Sequence, residues 1–317
     1  MKKILLGNTG ELISCMGLGT MYFGSNIDEP ASFQILDYYS DQGGSFLDSA
    51  NKYASWVPGF HGGESETLIG KWMKRKVNRQ NMFITSKVGF PYGSITRSLK
   101  KEIIISECEK SLKRMDVETI DLYFAHAYDS ETTLEETMEA FFQLQKRGKI
   151  RYSGASNFYG WQLSEANTLA EYQGWEGFCC LQQRHTFLDS SLRAYFGSQL
   201  VLTPEIQELC KKRNITIMAY SPLLSGVYIR NDMPVPVQYQ STINNKRLEV
   251  LKKLSTDLKV SANAIVLAWM MQSSPMIIPV FGCSSVEQMK ENLGSLQLIL
   301  SYEQMDQMNT PILYPKR

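Results

Sequence analysis

Short apolar runs of strand character alternate with stretches of helical period from residue 14 almost to the end of the chain. Eight runs can be counted, at residues 14–18, 45–48, 82–86, 120–125, 150–155, 177–181, 215–219 and 276–280. Most are continuously apolar rather than alternating, as strands buried on both faces are. Between them the apolar positions move to a period near 3.6. Ile104, Cys108, Leu112 and Met115 share one helical face, and Thr132 with Glu135 three residues on reads as a capping box opening another helix. Strands alternating with helices make a parallel sheet, and eight of them close it into a (β/α)8, or TIM, barrel.

The rhythm changes in four places. A short N-terminal hairpin is expected around Asn8-Thr9-Gly10, ahead of the first barrel strand. Residues 53–64, with Trp56, Pro58, Phe60, His61, Gly62 and Gly63, predict a loop over the carboxyl end of the barrel. Residues 225–245 hold Pro234 and Pro236 among many polar side chains and read as a long functional loop. Residues 301–309 predict an extra C-terminal helix, and the tail over 310–317 either folds back or stays loose.

Composition narrows the picture. A chain of 317 residues could hold two average domains, but no Pro/Gly/Ser-rich linker divides it, so residues 1–317 are read as one barrel domain. A formal net charge of +1 gives no general attraction for nucleic acid or an anionic membrane, which leaves a small molecule as the expected partner. The cysteines, at 15, 108, 179, 180, 210 and 283, lack metal-like spacing, and the adjacent pair is poorly suited to a disulfide; a reducing cytoplasm fits them best. Ile4-Leu5-Leu6 is too short for a signal-peptide core, and no apolar run is long enough to span a membrane. His61, His126 and His185 lie far apart with no His-x-x-x-His pair, so no metal site is expected, and His61 and His185 are read as solvated or substrate-lining. Oligomeric state leaves no readable mark.

Chemistry collects at the carboxyl ends of the strands in such folds. Asp48, Lys87 and His126 close the second, third and fourth runs, and Tyr53 follows Asp48 in the same loop. Singly, each is often no more than a surface or capping residue; four in register read as a proton-transfer site. Tyr53 is the expected acid, Lys87 the ammonium that lowers its pKa, Asp48 the partner that holds Lys87, and His126 the group that orients the oxygen being protonated. No Gly-x-Gly-x-x-Gly follows any strand, since Gly17, Gly19 and Gly24 have the wrong spacing, so a Rossmann domain is disfavoured.

These segments carry a resemblance. Met16-Gly17-Leu18-Gly19-Thr20 through Phe23-Gly24, Phe46-Leu47-Asp48-Ser49-Ala50-Asn51-Lys52-Tyr53, Gly62-Gly63-Glu64-Ser65-Glu66, Asp121-Leu122-Tyr123-Phe124-Ala125-His126 and Gly148-Lys149-Ile150-Arg151-Tyr152-Ser153-Gly154-Ala155-Ser156-Asn157-Phe158 resemble the aldo-keto reductases over essentially the whole chain. The resemblance implies reduction of an aldehyde or ketone by NAD(P)H, with the four roles just named. It also implies a cofactor site: Gly19 and Thr20; Ser156, Asn157 and Gln182 on the nicotinamide carboxamide; Tyr220 stacked on the ring; Ser221 and Leu223 along the pyrophosphate; and Gly282, Ser284, Gln288, Glu291 and Asn292 at the adenosine end.

NADP(H) is expected ahead of NAD(H). Ser284 stands where many relatives carry a basic residue for the 2'-phosphate, and Lys290 or Arg230 is the candidate replacement. Ser284 and Ser285, with Glu287 and Gln288 three residues on, can equally cap the last barrel helix. His185 stands where an aromatic residue is common, which predicts a more polar pocket. Tyr22, Trp56, Tyr92, Tyr128, Phe158 and Phe187 are candidates to line the substrate pocket or to pack beneath it. The alternative functions are a nicotinamide-binding regulatory subunit with slow or no turnover and, lacking a ligand set, a metal-dependent hydrolase.

Overall fold

Leu6 and Ile13 are wholly buried yet lie outside the barrel strands, because they plug the end at which those strands begin. They flank the turn of an antiparallel hairpin, β1 (Lys3–Leu5) with β2 (Leu12–Ser14). Above the plug, the computed structural model, which describes residues 1–191 and 194–310, closes eight parallel strands into a barrel. These are β3 (Gly17–Gly19), β4 (Phe46–Asp48), β5 (Phe83–Val88), β6 (Ile120–Ala125), β7 (Ile150–Ser156), β8 (Cys180–Arg184), β9 (Thr216–Tyr220) and β10 (Ile277–Phe281), with β10 pairing back onto β3.

Large side chains fill the barrel. Phe46, Phe83, Leu122, Phe124, Met218 and Ile278 form one cluster inside it. Gly17 makes room for Phe46, since a Cβ there would lie 2.6 Å from the ring. A larger apolar layer lies between the strands and the helices α1 (Glu29–Asp41), α2 (Glu64–Lys76), α3 (Lys101–Met115), α4 (Leu134–Lys146), α5 (Gly160–Gln173), α6 (Pro204–Arg213), α7 (Thr242–Leu258), α8 (Ala262–Met271) and α9 (Val286–Leu293). The extra helix α10 (Tyr302–Asn309) opens on a capping box at Ser301 and is tied to α8 by the bond from Trp269 Nε1 to Asn309 Oδ1.

Several expected boundaries move. The run 14–18 divides at Cys15-Met16: Ser14 ends the hairpin and the barrel strand starts at Gly17. The sixth strand begins at Cys180 rather than 177, so Gln182 lies within it. Lys87 and Tyr220 are likewise inside strands that extend past the apolar run. Thr133, not Thr132, caps α4 and accepts from Glu136 N; Thr132 instead donates to Asp129. The expected loop 225–245 contains short 3-10 turns at Leu224–Gly226 and Val237–Tyr239 and ends early, with α7 starting at Thr242. The tail beyond Thr310 lies outside the described residues. Among the described residues no helix is long and apolar enough to cross a membrane.

Candidate active site

Three adjacent strands bring the four predicted residues together. Asp48 ends β4, Lys87 is the penultimate residue of β5, His126 follows β6, and Tyr53 folds back over Asp48 from the β4–α2 loop. Lys87 is fully buried, which requires its charge to be answered locally. Its Nζ donates to Asp48 Oδ2 at 2.6 Å, to the Ser49 carbonyl at 2.8 Å and to the Tyr53 hydroxyl at 2.9 Å. Asp48 is held from its other side, where Oδ1 accepts from Thr85 Oγ1 and Gln182 Nε2, both at 2.9 Å. Tyr53 and His126 meet edge to face with ring centroids 6.2 Å apart, and His126 Nδ1 has no partner.

Electrostatics differ from the sequence expectation at one point. Burial, and then the Asp48 carboxylate, push the Tyr53 phenol well above its usual value, whereas Lys87 was expected to lower it. The ammonium is occupied by Asp48, whose own charge faces the phenol. Burial also lowers Lys87, against the pull of Asp48. His126 is driven well below the usual imidazole value by burial and then by Lys87 and Lys52, so at neutral pH it is an uncharged ring. Together these make a protonated phenol and a neutral imidazole facing one mouth, with an ammonium behind the phenol. Such a set can deliver a proton to an oxygen and stabilise the phenolate left behind.

The supporting layer was not foreseen. Asn51, in the same loop as Tyr53, donates from Nδ2 to Glu107 Oε2 at 2.8 Å, and the Tyr92 hydroxyl bonds the same oxygen. Tyr92 is thus a tether rather than pocket lining. Burial would raise Glu107, but hydrogen bonds from Lys110, Tyr92 and Asn51 outweigh it and hold the carboxyl low. Glu66 accepts from Ser86 Oγ and Arg114 Nε, both at 2.5 Å. Phe158 and Phe187 are fully buried, so they pack beneath the site; Tyr22 and Trp56 are exposed at the mouth, with Trp56 edge-on to Tyr53. His185, read as solvated or substrate-lining, is half-buried and stacked on Trp269 at 5.5 Å because α8 brings an aromatic face against it.

The sequence matches the profile of the Aldo/keto reductase family over residues 15–311. The chain belongs to this family. It is 29% identical over 98% of its length to an uncharacterized oxidoreductase, YrpG, of Bacillus subtilis, covering 95% of that protein. It is 30% identical over 90% of its length to the aldo-keto reductase yakc [NADP(+)] of Schizosaccharomyces pombe, covering 83% of it. A solved thermostable aldo-keto reductase, in complex with the inhibitor epalrestat, superposes with a TM-score of 0.78 at 28% identity, covering 98% of this chain and 99% of that one. This aldo-keto reductase is therefore an oxidoreductase of a family that works with nicotinamide cofactors.

The remaining strand ends have the donor set such a cofactor needs. Asn157 and Ser221 follow β7 and β9 with φ of 56°, left-handed backbone that is uncommon outside glycine and gathers at functional sites. Asn157 Oδ1 accepts from the Tyr220 hydroxyl at 2.7 Å and from Leu200 N, while its Nδ2 donates to the His126 carbonyl and to Ser156 Oγ. Gly282, Ser284 and Gln288 are exposed after β10, and Ser285 caps α9, leaving a helix N-terminus suited to phosphate. Asn292 is buried, Glu291 accepts from Asn263, and Leu223 is nearly buried. Thr20 is wholly buried next to Gly19, bonded to the Asp48 carbonyl and to Ser65. Of the two candidate cations for Ser284, Lys290 lies over the Tyr38 ring and Arg230 makes a two-pronged pair with Asp232.

Proposed function

We propose that the chain reduces an aldehyde or ketone to an alcohol, with Tyr53 donating the proton to the carbonyl oxygen. The observation that carries this reading is Lys87 Nζ within hydrogen-bond reach of both Asp48 and Tyr53 at the mouth of the barrel. A reduced nicotinamide cofactor supplies the hydride when bound, since no side chain can. Tyr53 is protonated at neutral pH and becomes a phenolate as the proton leaves; Lys87, 2.9 Å away, stabilises that charge. Asp48 keeps the ammonium in place. Neutral His126 offers a ring N–H to the same carbonyl oxygen and so orients it.

Ser156, Asn157 and Gln182 would take the carboxamide of the cofactor, Tyr220 its ring, Ser221 and Leu223 its pyrophosphate, with Gly19 and Thr20 alongside. Gly282, Ser284, Gln288, Glu291 and Asn292 would take the adenosine end. We read NADP(H) as the cofactor, supported by the yeast relative named for NADP(+), with a small carbonyl compound as substrate. A reducing cytoplasm suits its buried, unpaired thiols. Steady-state oxidation of NADPH and of NADH with a panel of aldehydes tests the reading. Turnover with NADPH at the lower KM is expected; tight cofactor binding without turnover would point to the regulatory alternative instead.

A further inference from the structure

Two cations stand beside the acid–base cluster without a direct ion pair among the described residues. The ring of Phe90, two residues past β5, packs edge-on against His126 with centroids 4.6 Å apart. Lys52 Nζ lies 4.5 Å from the centre of that same ring, and the guanidinium carbon of Arg97 lies 5.4 Å from it. Lys52 also faces Trp56 at 5.6 Å, and Arg97 bonds Ser198 Oγ. Among the described residues neither cation forms an ion pair. Asp129, one of two acids in the β6–α4 loop, has its oxygens taken by Leu99 N, Glu131 N and Thr132 Oγ1, and it feels the Arg97 charge only from a distance, without an ion pair.

Gathering two like charges around one ring costs free energy unless an opposite charge answers them. Burial, and then the nearness of Arg97, lowers the Lys52 pKa. Lys52 stands in the loop after β4 and Arg97 in the loop after β5, two and three strands round the closed barrel from β10. They are therefore set apart from Ser284 and the start of α9, beside the acid–base cluster where a substrate would sit.

We propose that Lys52 and Arg97 select carbonyl compounds bearing an anionic group, a carboxylate or a phosphate, which they hold over Phe90 while the carbonyl oxygen meets Tyr53 and His126. The inference rests on the reductase reading above. The test compares kcat/KM of the full-length chain with NADPH for 4-carboxybenzaldehyde against its methyl ester, and for glyceraldehyde 3-phosphate against glyceraldehyde. The charged member of at least one pair is expected to win by about tenfold, and the pair with the larger ratio identifies the anion. Lys52→Met, which keeps the apolar stem, and Arg97→Gln should each cut that ratio by about threefold or more, through KM, and raised salt should cut it too. Lys212→Met, on α6 at the far end of the barrel, should keep the wild-type ratio. Ratios near one in both pairs, or ratios that neither mouth variant moves, would overturn the proposal while leaving the reductase reading intact. Turnover of none of the four aldehydes with either cofactor would overturn that reading and this inference with it.

Discussion

The β4–β6 side of the barrel mouth and the β7–β10 side are built differently. On the first, Asp48 is bonded to Lys87 and Thr85, and the buried carboxylates Glu66 and Glu107 tie the neighbouring Ser86 and Asn51, so the proposed reacting groups are fixed before any ligand arrives. On the second, polar groups satisfy each other in pairs: exposed Ser284 with Gln288, and buried Asn157 with Tyr220. A ligand there exchanges one set of hydrogen bonds for another, so each contact contributes only about 1 kcal/mol. The chemistry is preorganised, and the holding surface is exchangeable.

The sharpest way to break this contrast is Tyr53→Phe. Carbonyl reduction should fall roughly 10²- to 10⁴-fold while cofactor affinity, read by fluorescence titration, stays put. An unchanged rate would move the chemistry away from the β4–β6 side. Next comes Lys87→Met, which leaves Asp48 buried without its cation; urea unfolding should show a loss of about 3–5 kcal/mol. A loss near that of a surface substitution would mean the pair is less enclosed than its geometry implies.

The β8 side has its own titrating group, the half-buried His185, and it sets a smaller effect. Burial, then Arg247, holds its pKa at about 4 against an ordinary 6.5. The unfolded chain therefore binds the proton first. Stability is full above pH 6.5 and is lost as pH falls toward 4, by roughly 3 kcal/mol from this residue. Urea midpoints at both ends of that window should converge in His185→Phe; an equal loss in variant and wild type would assign the acid sensitivity elsewhere. Smallest is Ser284→Arg, which puts a guanidinium beside the proposed adenosine end and should tighten NADPH relative to NADH by about tenfold. No change in that ratio would place the 2'-phosphate away from Ser284.

The sequence made the first side partly legible and the second less so. Asp48, Lys87 and His126 stand out because each interrupts an apolar run, and in a parallel barrel the end of a run is a known place. Asn51, Tyr92 and Glu107 meet at one carboxylate from a loop, a second loop and a helix, and nothing in their spacing announces it. Lys52 and Arg97 were two basic residues among 33 until Phe90 was found between them. The direction of the Tyr53 shift is hidden for a similar reason: the sequence shows Lys87 and Asp48 near the phenol, but not that burial and the Asp48 carboxylate outweigh the ammonium that Asp48 already holds. His185 looked like lining until α8 supplied Trp269 as its stacking partner.

The central claim is that this mouth passes hydride from a nicotinamide to a carbonyl carbon while Tyr53 protonates the oxygen. Reduction of an aldehyde with NADPH deuterated at the transferable C4 position tests it directly. The account predicts one deuterium on the carbinol carbon of the alcohol for each NADPH oxidised. Alcohol formed without deuterium on that carbon, or NADPH oxidised without alcohol, would contradict it.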